Sequence, residues 1–139
     1  MPSENFADAA ARHLDDAMLL KSHQRFDNAA YLAGYVVECA MKAVLAASSL
    51  TPQRLGHELQ AISVEAMPLL WIVAPAMRRY EVPASNDVDE LIRNWKPDLR
   101  YGTSGVIDSV MAEQWTSAAR QVFDSFVVSS VLDGWSQLQ

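Results

Sequence analysis

Residues 29–47 of this 139-residue chain have the sequence AAYLAGYVVECAMKAVLAA. It is apolar on almost every side of a helix, and this predicts a helix buried at the centre of a protein core. One acid, Glu38, and one base, Lys42, interrupt it four residues apart, a spacing that places both on the same helical face. A buried carboxylate is costly unless it is paired, so we expect Glu38 to have a partner, and Lys42 is the nearest one.

The sequence before this stretch predicts a first amphipathic helix, because apolar residues recur there at intervals of three and four. This helix is expected to run from about Ser3 to His23, with Ser3 as its N-cap. A short break follows, after which Asp27 is the expected N-cap of the second helix. A connection of two or three residues predicts that the two helices pack antiparallel.

The remainder of the chain also has helical periodicity. A third helix is expected from near Arg54 or His57, with interruptions or kinks at Pro68 and Pro75, since proline removes a backbone donor. A short helix then carries three apolar residues on one side: Leu91, Ile92 and Trp95. The last predicted helix is long and has an apolar stripe made of Val106, Val110, Met111, Trp115, Ala118, Ala119, Val122, Phe123, Phe126 and Val127. No segment alternates with the two-residue period of a strand, so we predict an all-α, up-and-down bundle of four to five helices.

Composition limits the class of protein. Half of the residues are hydrophobic, enough for one domain over residues 1–139, and no linker divides the chain. No apolar run reaches the roughly 18 to 20 uninterrupted residues of a membrane span, and no secretory signal is evident, so a soluble, cytoplasmic protein is expected. Cys39 is the only cysteine, and we interpret it as a buried hydrophobe; neither a metal nor a cofactor is expected.

The net charge of −6 argues against a broad, non-specific nucleic-acid surface. Basic residues are nevertheless concentrated in the middle third of the chain: Arg78, Arg79, Arg93, Lys96 and Arg100. An anion-binding surface is therefore expected in this third. The alternative is that these are solvated charges that lie next to the acids of the same region.

Three stretches in this order resemble one family: HLDDAMLLKSHQRFDNAAYLAGYVVECAMKAVL (residues 13–45), GHEL (56–59) and NWKPDLRY (94–101). Together they resemble the HEPN family, the higher eukaryote and prokaryote nucleotide-binding helical domains. The resemblance implies a helical bundle that usually forms a homodimer and is often encoded with a nucleotidyltransferase partner. It also implies a toxin-antitoxin or defence role, often as a metal-independent RNase, although not all members are enzymes.

The RNase motif of that family is an Arg followed, after four to six residues, by a His, sometimes with a Tyr close behind. None of the three histidines has an Arg at that distance upstream. The nearest analogue is RNWKPDLRY, where Arg93 fits the start, Asp98 stands where the His could be and Tyr101 is slightly late. Asp98 is a poor substitute, because a carboxylate is ionised near neutral pH and repels phosphate. The departure favours a non-catalytic or degenerate module.

The same stretch has a binding interpretation. Arg100 offers a planar fork for a phosphate or carboxylate, and Trp95 and Tyr101 offer faces on which a base could stack. In the alternative, the two aromatic residues fill the end of the bundle and Arg100 pairs with a buried acid. We therefore expect an Arg100–Glu38 salt bridge, and we predict Glu38, Lys42, Trp95, Arg100 and Tyr101 as ligand-contacting residues.

Two further residues, His57 and Gly34, have expected roles. His57 in GHEL is expected to bind an anion or to pair with Glu38 or Glu58. Gly34 inside a helix indicates close packing by a neighbouring helix or, second, by a ligand. Three hypotheses remain: a module that binds RNA, a nucleotide or a protein; a divergent RNase using Arg93, Asp98, Arg100 and Tyr101 with His57; and a structural partner of a nucleotidyltransferase.

Overall fold

Helices make up the regular structure of the described residues, 4–48 and 56–138 of a computed structural model, and no strand occurs in those ranges. The five helices are α1 (Phe6–Ser22), α2 (Phe26–Ala47), α3 (Leu59–Val73), α4 (Asn86–Asn94) and α5 (residues 109–132). Two short 3₁₀ turns lie between them, Pro75–Arg79 and Pro97–Tyr101. The all-α bundle predicted from the sequence is confirmed.

α2 is the central helix, as its composition predicted. It packs against α1, α3, α5 and the Pro97–Tyr101 turn, while α4 packs on α5. Buried apolar side chains from all five helices form one cluster. By length and composition α2 could span a membrane, but 78% of that window is buried inside the bundle, as in the core helix of a folded domain.

The helix caps differ from those predicted. Ser3 lies outside the described residues, and Asn5 caps α1 by accepting a hydrogen bond from the amide of Asp8. The expectation that Asp27 caps α2 is wrong, since the helix begins one residue earlier, at Phe26. The Asp27 carboxylate instead accepts hydrogen bonds from the amides of Gly105 and Ile107, at 2.8 and 3.1 Å. It thereby fastens the loop before α5 to the start of α2.

The two prolines differ in effect: Pro68 lies inside α3, which continues through it, whereas Pro75 lies beyond the end of the helix. A π-helical turn, Ile62–Ala66, precedes Pro68, and the helix ends at Val73, immediately before the Pro75 turn. In α5 the predicted apolar stripe starts too early. Val106 is exposed because it precedes the helix, which begins at Ser109 with Asp108 as its N-cap, and Val110 is exposed in the first turn.

Cys39 is buried among the apolar side chains of the core, as predicted. Burial, and then the nearby Glu38 carboxylate, raise the pKa of the Cys39 thiol to about 12. A thiol of that pKa is almost entirely protonated at neutral pH and is a weak nucleophile. The structure therefore supports a packing role for this residue.

Tyr80 fastens the segment after α3 to the end of α5. Its side chain is buried and its hydroxyl donates to Asp133, which also pairs with Arg79 at 3.1 Å. Tyr80→Phe leaves the Asp133 carboxylate without this donor, so we expect it to lower the free energy of unfolding by about 1–2 kcal/mol. Urea denaturation measures the loss. The exposed Tyr101 provides the control, because Tyr101→Phe should change stability by less than ~0.5 kcal/mol.

The pH dependence supplies a second check on Tyr80. Burial and the hydrogen bond to Asp133 raise the pKa of Tyr80 from 10 to about 12. On raising the pH, the unfolded chain therefore releases this proton before the folded chain does. The stabilisation is fully present below pH 10 and is lost between pH 10 and about 12. Equal loss of stability in wild type and Tyr80→Phe across this range would contradict the assignment.

Candidate functional site

A buried ion pair stands at the middle of α2. Lys42 Nζ donates to Glu38 Oε2 at 3.1 Å, and each side chain is only 5% exposed. Lys42 also donates to the carbonyl of Gly56, at 2.7 Å, and His57 Nδ1 lies 2.8 Å from the second oxygen, Glu38 Oε1. The buried carboxylate predicted to need a partner thus has two. Both the Lys42 pairing and the His57 pairing are confirmed.

The predicted salt bridge between Glu38 and Arg100 is wrong. Among the described residues, the ion pairs of Glu38 are those with Lys42 and His57. Arg100 interacts with Tyr31 and stacks its guanidinium 4.8 Å from the Tyr101 ring centroid. Both oxygens of Glu38 are already engaged by residues closer in the fold, so Arg100 stays at the surface, where hydrogen bonds to the two tyrosines raise its pKa.

Gly34 makes room for a tryptophan of the same chain. The ring of Trp95 lies over the backbone of Gly34, and an added Cβ there would be 2.0 Å from Trp95 Cε2. Trp95 Nε1 donates to the carbonyl of Tyr31 at 2.9 Å, and the edge of Tyr35 meets the ring at a centroid distance of 5.0 Å. Trp95 is 3% exposed. Close packing at Gly34 is confirmed, and the base-stacking faces expected of Trp95 are covered.

Tyr35 links this aromatic group to His57. The two rings meet edge to face at 5.8 Å, and Tyr31 donates to the Tyr35 hydroxyl at 3.2 Å. Burial and the hydrogen bond with Tyr31 raise the pKa of the Tyr35 hydroxyl, which is therefore neutral at physiological pH. His57 is consequently held on one side by a carboxylate and on another by a neutral ring.

A cleft of about 470 Å³ opens beside His57, between the start of α3 and the end of α4. It brings together four residues predicted from the sequence: His57, Arg93, Trp95 and Asp98. Its other lining residues are Glu58, Leu59, Gln60, Ile92, Lys96 and Pro97. Residues separated by some 40 positions in the chain thus share one surface, because α2 supports the start of α3 and Trp95 fixes the end of α4 against α2.

The cleft is mixed in charge. Arg93 and Lys96 are exposed cations at the end of α4, and the side chain of His57 is 55% exposed. Glu58 and Asp98 supply two carboxylates. Nδ1 of His57 faces the Glu38 carboxylate, so in neutral His57 the proton is on Nδ1 and Nε2 is an acceptor. No hydrogen bond within the described residues occupies Nε2.

The other predicted site residues lie outside this cleft. Glu38 and Lys42 are behind His57 and do not line it. Arg100 lines a separate, smaller cavity of about 120 Å³, and Tyr101 is 76% exposed. The expectation that Tyr101 fills the end of the bundle is therefore wrong. Of the basic residues of the middle third, Arg79 pairs with Asp133, far along the chain.

Metal ligands do not cluster in the described part of the chain, where no group of three or more His, Cys, Asp or Glu side chains is placed to hold an ion.

Sequence reasoning missed the contributions of Gln60 and Ile92 to the cleft. Neither carries a motif, and only the packing of α3 beside α4 brings them to it. Lys96 was anticipated through the local excess of basic residues.

Comparison with known proteins gives one positive result. Residues 3–129 match the HEPN domain. No curated protein and no solved structure is significantly similar to the chain. The match covers nearly the whole sequence and includes every residue of the cleft and of the Glu38 pair. The chain therefore belongs to the HEPN domain family.

Proposed function

We propose that this protein binds the phosphate of a nucleotide or of RNA in the cleft between α3 and α4. The observation that supports the proposal is the convergence of Arg93, Lys96 and the half-exposed His57 on that one cleft. Guanidinium and ammonium groups are the usual donors to phosphate oxygens in proteins, and an imidazole ring donates from Nε2 as well when both of its nitrogens carry a proton. A volume of about 470 Å³ is within the range of small-ligand sites.

The residues behind His57 favour the interpretation of this cleft as a ligand-binding site. The buried Glu38 and Lys42 restrict His57 to one orientation, which reduces the entropy lost when a ligand is held. The two carboxylates of the cleft limit the affinity for phosphate. A modest, salt-dependent affinity is therefore expected, because exposed charges are screened by salt.

Calorimetric titration with AMP and with a short RNA tests the proposal. Arg93→Ala should weaken binding about 10-fold or more, since a charge-assisted hydrogen bond contributes about 1.5–3 kcal/mol. Arg78→Ala is the matched control: it removes the same charge from an exposed position outside the cleft, and should leave affinity unchanged. Asp98→Asn should strengthen binding by removing a repulsive charge. Equal losses in Arg93→Ala and Arg78→Ala, or no binding to the wild type, would contradict it.

A second candidate function, metal-independent RNA cleavage, is favoured by the 2.8 Å contact between Glu38 and His57. In this reaction a ribose 2′-hydroxyl attacks the adjacent phosphorus and gives its proton to His57 Nε2. The bond to the 5′-oxygen breaks, that oxygen takes a proton from water, and a 2′,3′-cyclic phosphate forms. Glu38 would position the imidazole and Arg93 would face the phosphate charge.

Incubation of an RNA pool with a chelator distinguishes the second candidate from binding alone. His57→Asn should lower cleavage at least ~100-fold, the usual contribution of a proton-transfer residue. His23→Asn is the control, because His23 is exposed in the turn after α1 and outside the cleft. Cleavage that is absent from the wild type, or equal in the wild type and His57→Asn, would reject this candidate.

A further inference from the structure

The cleft does not end at Arg93. A second groove of about 420 Å³ adjoins it, and the two share Gln60, Ile92 and Arg93 as walls. The second groove runs along the middle of α3 towards the loop that precedes α4. The two cavities therefore form one elongated groove, with Arg93 at the junction.

The two halves differ in chemistry. Beyond Arg93 the lining is mainly apolar, with Val64 from α3, Val82 and Pro83 from the loop, and Ile92 from α4. Val64 is 62% exposed. Among the described residues that line this half, Asp89 is the single ionisable one apart from Arg93. An anion held at the first half thus has an apolar surface directly beside it.

We propose that this apolar half holds the base of the nucleotide whose phosphate lies at His57, Arg93 and Lys96. The inference rests on the proposed function and adds the orientation of the ligand: phosphate towards the end of α4, and base between Val64 and Pro83. A nucleotide combines an anionic group with a flat, largely apolar group a short distance away. That combination matches a cationic end followed by an apolar end.

The aromatic side chains near the cleft do not provide this surface. The Trp95 ring is covered by the backbone of Gly34 and by the rings of Tyr31 and Tyr35. Tyr101 does not line either half of the groove. The apolar wall that is continuous with the cations is the one made by Val64, Val82, Pro83 and Ile92. Because this wall is continuous with the cations, we assign it to the same small ligand.

Calorimetric titration of the full chain with AMP, ribose 5-phosphate and inorganic phosphate tests the base position. AMP should bind at least ~10-fold more tightly than ribose 5-phosphate. Val64→Asn should reduce AMP affinity to nearly that of ribose 5-phosphate and leave ribose 5-phosphate binding unchanged. Val73→Asn is the matched control, since Val73 is an exposed valine of the same helix outside the groove; it should change neither affinity.

The outcomes separate this inference from the proposed function. Equal affinities for AMP and ribose 5-phosphate, both weakened by Arg93→Ala, would overturn the base position and retain the phosphate site. An AMP preference that Val64→Asn does not reduce would place the base elsewhere and also overturn the inference. Failure of all three ligands to bind would overturn both. Circular dichroism of each variant confirms that a loss of binding is not a loss of folding.

Discussion

Glu38→Ala is expected to cost the fold about 3–5 kcal/mol, because it leaves the ammonium of Lys42 buried without its carboxylate. Domains of this size are stable by only about 5–15 kcal/mol, so the variant should be close to unfolding at physiological temperature. The substitution also frees His57, whose ring is held by the same carboxylate. Thermal and urea denaturation at neutral pH measure the effect.

A double substitution separates the cost of an unpaired charge from the value of the pair. Glu38→Leu with Lys42→Met replaces both charges by apolar groups of similar volume, which is often neutral or stabilising for a buried pair. We expect this protein to be more stable than Glu38→Ala by at least ~2 kcal/mol, although it no longer holds His57. If the double variant is as unstable as Glu38→Ala, the loss of stability does not arise from the unpaired charge of Lys42.

Gly34→Ala is expected to destabilise the protein by at least ~2 kcal/mol, although alanine is the better helix former by about 1 kcal/mol. The new methyl group would lie 2.0–2.2 Å from three atoms of the Trp95 ring, so the ring must leave its position. Its departure also breaks the hydrogen bond to the Tyr31 carbonyl. Denaturation curves and the fluorescence maximum of the tryptophans report the change.

A substitution of Trp95, the residue that contacts Gly34, gives the control. In a Trp95→Leu background the smaller, flexible side chain can move away from residue 34. The cost of Gly34→Ala should then shrink by ~2 kcal/mol or more, as expected for two residues in direct contact. An undiminished cost in that background would show that Gly34 is required for some reason other than the tryptophan.

The fold could be predicted in large part because helical periodicity is a local property. Residues 29–47 identify the central helix, and Pro75 marks where α3 has ended. The cap at Asp27 was mispredicted for a physical reason. A carboxylate near the start of a helix can accept hydrogen bonds from the free amides of that helix or from the amides of a distant loop. Here it binds the amides of Gly105 and Ile107, and no local pattern distinguishes the two.

The candidate site could be predicted only in its parts. The need of Glu38 for partners follows from burial alone, and Lys42 follows from helical spacing. The choice of His57 over Arg100 depends on where the start of α3 lies against α2, which the sequence does not specify. The same holds for the groove: Val64, Val82 and Ile92 are ordinary apolar residues in sequence, and only the placement of α3 beside α4 makes them one wall.

The most direct test of a nucleotide site in this groove is to record amide proton–nitrogen spectra during titration with AMP. We predict that signals from residues 57–64 and 89–98 move together and saturate, while signals from α1 and from the C-terminal end of α5 stay in place. Shifts confined to another surface, or no shifts at millimolar AMP, would contradict it.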